Sequence, residues 1–194
     1  HSNMNVINMS HCQNMYFETQ GEGASSSSIL RSIQGMETIL EFDGAPRGRC
    51  ECSRGPDGRP RLFVCFGTTL YVIDKNTDTG VVEKTVVGTV SNTSTPVSMV
   101  ETGGEGTAFP HLVVCDGSNV FSCSTVEPAS TISSTWRSIQ LPQNAQSQYI
   151  LPTHCAYLYG YLLVNDSQTD AFFMSYQYPF ETTTTEGDID YDIF

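Results

Sequence analysis

The chain has 194 residues, of which 9 are Lys or Arg and 21 are Asp or Glu. The resulting formal charge of −12 argues against any role that grips nucleic-acid phosphates, where affinity comes from Lys and Arg displacing counterions. Only 15% of the residues are charged and 39% are hydrophobic, and no run approaches the roughly 18 apolar residues that span a bilayer, so no membrane partner is expected.

Residues 1–28 are polar and are expected to form an exposed arm or loop that ends in a run of four serines. Their one apolar knot is Met15-Tyr16-Phe17. A first strand is expected near 37–42. A group of four strands then follows, near 48–53, 61–66, 69–74 and 81–90, with a hairpin through Gly55-Pro56-Asp57-Gly58 and a turn at Gly67-Thr68. The order repeats near 96–101, 111–116, 119–124 and 135–141, the last of these carrying Trp136, the only tryptophan. A third group lies near 153–158, 161–165 and 171–176, and its outer strand is either missing or begins in the acidic tail. No helical periodicity of consequence is present.

These groups are copies of one another. Leu62-Phe63-Val64-Cys65-Phe66-Gly67, Leu112-Val113-Val114-Cys115-Asp116-Gly117 and Leu162-Leu163-Val164-Asn165-Asp166 stand at a period of 50 residues. Each copy is an apolar run, a turn and a second β-rich run. That period, with several short strands per unit, is the pattern of β-propeller blades, because one blade cannot bury both of its faces without neighbours. The expected fold is therefore all β, with about three blades near 37–90, 96–141 and 153–194, the whole of 29–194 forming a partial propeller. Three blades fall short of the usual closed ring of four to eight, so the ring is expected to be incomplete and the chain to be a piece of a longer protein.

Catalytic constellations are missing from the sequence: there is no Gly-x-Ser-x-Gly elbow, no phosphate-cradling loop, no His-Glu-x-x-His and no calcium loop. No catalytic, cofactor-binding or metal-binding residue is assigned, and the chain is not expected to be an enzyme. The seven cysteines are expected to be mostly reduced, with Cys65 and Cys115 buried as small hydrophobes at equivalent places in the repeat. Two minor alternatives are a zinc site from Cys50, Cys52, His154 and Cys155, weakened by the lack of ligand spacing, and a Cys50–Cys65 disulfide. Arg47, Arg49, Arg54, Arg59 and Arg61 form a basic cluster expected to be solvated, with contact to an acidic partner as the alternative. His111 reads as a strand-end residue and Asp116-Gly117 as a turn. Asp188, Asp190 and Asp192 read as a solvated acidic segment rather than a metal site, and the sequons at Asn8, Asn92 and Asn165 as chance matches.

Taken in order, the motifs resemble the packaged-DNA stabilisation, or tail accessory, proteins of short-tailed bacteriophages. Cys12-Gln13-Asn14-Met15-Tyr16-Phe17-Glu18 is similar to that family's Cys-x-Asn-Leu-Tyr-x-Glu, and Thr68-Thr69-Leu70-Tyr71-Val72-Ile73-Asp74 to its Asn-Thr-Leu-Tyr-x-Val-Asp. Val97-Ser98-Met99 matches its Val-Ser-Met, although Pro96 stands where the family has Arg. Leu112-Val113-Val114-Cys115-Asp116-Gly117, Tyr159-Gly160-Tyr161-Leu162-Leu163-Val164-Asn165 (the family's Asp-Gly-Tyr-Phe-Val-Phe-Asn) and Phe172-Phe173-Met174-Ser175 continue the series, so the resemblance covers roughly 12–194. It implies a structural virion protein, assembled in the host cytoplasm as a homo-oligomer, by analogy a hexamer, below the portal and its adaptor. Such a protein helps to close the DNA channel and joins distal tail parts. The alternative from the architecture alone is a glycan- or receptor-binding propeller, glycosidase-like in the extreme.

Overall fold

The computed structural model describes residues 15–19, 28–32, 38–53, 55–56, 58–91, 94–103, 110–141, 143, 149–175 and 191–193. Among these residues the chain is all β apart from a single 3-10 turn at Ile132–Thr135. Three successive four-stranded antiparallel sheets follow one another as propeller-like blades. Blade 1 is β3 (Pro46–Cys52), β4 (Arg61–Phe66), β5 (Thr69–Lys75) and β6 (Val82–Thr89). Blade 2 is β7 (Ser98–Thr102), β8 (His111–Cys115), β9 (Val120–Ser124) and β10 (Arg137–Ile139). Blade 3 is β11 (Cys155–Leu158), β12 (Tyr161–Asn165), β13 (Phe172–Ser175) and β14 (Tyr191–Ile193), so its outer strand does come from the acidic tail.

The 50-residue period is a physical one: β4, β8 and β12 are each the second strand of their blade and start at residues 61, 111 and 161. Side chains on a strand alternate between faces, and here the alternation divides the core into seams. Phe63, Cys65, Leu70 and Val72 on the trailing face of blade 1 pack with Leu112, Val114 and Cys123 on the leading face of blade 2. Val113, Cys115, Val120 and Ile139 on the trailing face of blade 2 pack in the same way with Leu162, Val164 and Phe173 of blade 3. The segment entering each blade adds to its seam, with Val90 and Val97 in the first and Ile150 in the second. Each blade is thus two-sided, which is why its second strand reads as a nearly continuous apolar run.

Three expectations need correction. The arm is not irregular up to residue 28, because β1 (Met15–Thr19) pairs antiparallel with β2 (Ser28–Ser32), Met15 opposite Ser32 and Thr19 opposite Ser28. The β-prone knot Met15-Tyr16-Phe17 finds strand partners in the first residues after the serine run. Residues 38–42 are not a strand. Instead Phe42 lays its ring on Phe66 with centroids 4.4 Å apart and meets Tyr71 edge-on at 5.3 Å. The outer strand of blade 2 is also shorter than expected, since Thr135 closes the 3-10 turn and Trp136 caps it.

Candidate interaction site at the blade seams

Several of the polar residues that the fold buries, Arg61, Asp116 and Asp166 among them, tie the blades and their entering segments together. Arg61, only 2% exposed, opens β4 and forms a bidentate pair with Asp74 across the sheet, Nε to Oδ1 at 2.9 Å and Nη2 to Oδ2 at 2.5 Å. Its remaining nitrogen, Nη1, crosses into blade 2 and donates to the carbonyls of Thr125 at 2.8 Å and Glu127 at 2.6 Å. Arg47 acts similarly nearer the inner edge, donating to Thr95 O, Gly67 O and Ser91 O, each at 2.9 Å. The solvated basic cluster is therefore corrected for these two: the planar five-donor fork of arginine suits it to several carbonyls and a carboxylate at once. Arg49 and Arg59 are exposed, as expected, and Arg54 lies outside the described residues.

Two aspartates at the same register position form the second element. Asp116, fully buried, accepts from the backbone N–H of Ser91 at 2.7 Å, Ser118 at 2.9 Å and Asn119 at 2.8 Å. Burial raises the pKa of its carboxyl, but the N–H groups of Ser91, Asn119 and Ser118 outweigh that and hold it below the ordinary carboxylate value. Asp166 repeats the clasp, taking Leu151 N–H and Gln168 N–H at 3.2 Å each and the Thr169 hydroxyl at 3.1 Å. In both cases one bond fixes the turn and another ties down the segment that enters the blade. Sequence reading recognised only the turn. The signal for the rest was there: two aspartates 50 residues apart, each ending an apolar strand. Asn165, read as the end of the third apolar run and as a chance sequon, is a clasp too, accepting from Thr153 N–H at 3.0 Å and His154 N–H at 2.8 Å.

The innermost strands approach closely enough to need small side chains. A Cβ at Gly48 would lie 2.3 Å from Val97 O, and Val97 N–H donates to Arg47 O at 2.9 Å. At the outer end of the same seam Trp136 stacks on Phe121 with centroids 4.8 Å apart. Its ring lies over Gly88, where a Cβ would come within 2.4 Å. Between blades 2 and 3 the inner contact is made by Ser98 and Cys155, whose N–H donates to Ser98 Oγ at 3.2 Å.

Cys50, Cys52, Cys65, Cys115, Cys123 and Cys155 are free thiols, and Cys12 lies outside the described residues. Cys65 and Cys115 are fully buried, as expected. The Cys50–Cys65 disulfide is corrected: Cys50 faces Phe63 across the ladder, while Cys65 faces Gly48. Burial pushes the Cys123 thiol up to about 12 and raises that of Cys65. The hydrogen bond that the Cys115 thiol donates to Cys155 and burial together raise Cys115. Among the described residues no group of three or more His, Cys, Asp or Glu could hold a metal ion, so Cys50, Cys52, His154 and Cys155 are not brought together as ligands. His111 begins β8, at the strand end expected for it. Asp192 lies on β14, and Asp188 and Asp190 fall outside the described residues. No helix among the described residues is long and apolar enough to cross a membrane. No protein-family model matches the chain, and no curated protein matches it.

Proposed function

We propose that this chain is a non-enzymatic structural protein that works through protein contacts in the tail of a short-tailed bacteriophage. In that role it sits below the portal and adaptor, helps to retain packaged DNA and joins distal tail parts. The observation that carries the reading is the shared order and spacing of the blade motifs from Cys12 to Ser175. Two physical features support it. The buried Arg61 and the half-buried Arg47 reach from blade 1 to the chain that follows it, and the buried Asp116 and Asp166 hold the segments that enter their blades, so these groups are engaged in joining the blades. The net charge of −12 makes for a surface that repels the DNA polyanion, so that DNA passes without sticking.

The test is co-sedimentation of the chain with a purified portal–adaptor complex of a short-tailed phage, together with a gel shift on random duplex DNA. Binding to the complex without a DNA shift is the expected result. Failure to bind the complex, combined with saturable binding on a glycan array, would replace this reading with the receptor-binding one.

A further inference from the structure

Cys115 and Cys155 meet across the seam between blades 2 and 3. Ser98 is the ladder partner of Cys115, and its hydroxyl lies 3.7 Å from the Cys155 sulfur. The same sulfur lies 3.9 Å from the carbonyl of Val113, whose side chain shares a face of β8 with that of Cys115. Cys155 thus packs onto the cluster that contains Cys115, and the Cys115 thiol donates a hydrogen bond to it. The repeat supplies a comparison from within the chain. Cys65 stands 50 residues before Cys115 and pairs with Gly48, as Cys115 does with Ser98. Val164, opposite Cys155, stands 50 residues after Val114, which lies opposite Met99. Met99 therefore takes, in the first seam, the place of Cys155, and its Cε lies 3.3 Å from where a Cβ of Gly48 would be. At this one position the second seam has two thiols, whereas the first has a thiol and a thioether, which form no disulfide.

We propose that Cys115 and Cys155 are an oxidisable pair that locks blade 2 to blade 3 through a disulfide when the protein meets a peroxide. The exposure of the two thiols sets their roles. Cys115 is fully buried and Cys155 only partly, so Cys155 is the sulfur that a small oxidant reaches first. The hydrogen bond from Cys115, with help from the Ser98 hydroxyl, outweighs burial and holds the Cys155 thiol below its ordinary value, which favours the nucleophilic thiolate. That thiolate attacks one peroxide oxygen: an S–O bond forms, the O–O bond breaks, and the leaving hydroxide takes up the proton of Cys155 as water. Cys115 then attacks the sulfur of the resulting sulfenic acid. The S–S bond forms, the S–O bond breaks, and the departing hydroxide leaves as water with the proton of Cys115. Two thiols are oxidised, and one hydrogen peroxide is reduced to two waters. The bond joins β8 to β11, and the proposal rests on this seam and not on the tail reading.

Treatment of the folded, reduced chain with a small molar excess of hydrogen peroxide tests it, followed by blocking of the remaining thiols in denaturant and mass mapping without reductant. The expected product has lost two thiols per chain and yields peptides joined through Cys115 and Cys155, with Cys65 still free. It should melt roughly 10 °C above the reduced chain, because the bond closes a long loop in the unfolded state. Dithiothreitol should reverse the shift, and Cys155→Ser should remove both the linkage and the shift. Oxidation that stops at a Cys155 sulfenic or sulfinic acid, that links other cysteines, or that forms no disulfide overturns the pairing. A Cys115–Cys155 bond that leaves the melting temperature unchanged overturns the lock. Each of these outcomes is read on the unmodified chain and so does not depend on the folding of the variant.

Discussion

The seam between blades 1 and 2 and the seam between blades 2 and 3 solve one packing problem with different chemistry. The first is aromatic and charged: Phe63, Phe121 and Trp136 fill it, and Arg61 and Arg47 reach across it to carbonyls. The second is mostly aliphatic, and the polar side-chain contact between its innermost strands is that of Ser98 with Cys155. A buried guanidinium is costly to desolvate unless every donor is matched, so the first seam gains specificity at the risk of failing badly when one partner is lost. The second has less to lose from any one polar change. Substitutions that remove single partners should therefore separate the two.

The largest effect is expected from Asp74→Ala. It leaves the Arg61 guanidinium, 2% exposed, without its carboxylate, and breaking one side of a buried pair costs about 3–5 kcal/mol. Arg61→Met should be milder, because Asp74, whose side chain is 29% exposed, then turns to water. At the second seam Ser98→Ala should cost only about 1 kcal/mol, the value of an ordinary hydrogen bond. Denaturant midpoints of the three variants, read at equal slope, check this ranking. An Asp74→Ala loss no larger than that of Ser98→Ala would remove the distinction between the seams.

The second seam should instead be sensitive to volume. Leu162→Ala removes a fully buried side chain where no charged network compensates, for a loss of about 2–5 kcal/mol. Amide exchange should show β11–β13 opening while β4 and β5 stay protected, since the two cores are separate clusters. Uniform loss of protection in blades 1 and 3 would mean that the array opens as one unit.

What the sequence revealed of this comparison follows from how local each feature is. The blades were legible because Leu62-Phe63-Val64 and its two copies recur at a fixed period and are bounded by turns, which needs only local pattern. Phe42 was misplaced because an apolar residue near others looks like a strand, whereas it serves as a ring stacked on Phe66 from outside the sheet. Arg61 was misread for a reason of scale: its partners Thr125 and Glu127 stand 64 and 66 residues away. No local window contains such a contact, and an arginine in a basic run looks solvated until the next blade is placed. Asp116 was half legible, its turn being local and its bond to Ser91 not.

A smaller effect should come from Gly88→Ala. The added Cβ would fall 2.4 Å from the Trp136 ring, so the ring must move off Phe121 or β6 must shift, at about 1–3 kcal/mol for overpacking. Trp136 is the only tryptophan, so its fluorescence reports the displacement directly. The emission of Gly88→Ala should shift while that of Leu162→Ala stays put, because Trp136 belongs to the first seam alone. Equal shifts would show the seams to be mechanically coupled.

The smallest expected effect is one of pH, and it again falls on the first seam. Burial raises the Asp116 pKa, but the backbone N–H groups of Ser91, Asn119 and Ser118 prevail, and in the folded chain it lies below the ordinary value. A group with a depressed folded pKa contributes stability that is fully present above its unfolded value, about 3.9 for Asp, and is lost as pH falls through the folded value. At neutral pH Asp116→Asn should therefore be less stable than the unmodified chain, because the amide oxygen accepts the N–H of Ser91 without charge assistance. As pH falls below the unfolded value the gap should narrow, since the carboxyl that makes the difference becomes protonated first in the unfolded chain and then in the folded one. The difference in melting temperature between the two proteins, followed from pH 7 to pH 2, isolates this carboxylate from all others, which are common to both. A gap that stays constant over that range would mean that the clasp holds Ser91 by geometry alone, and that the charge on Asp116 contributes nothing to joining blade 1 to blade 2.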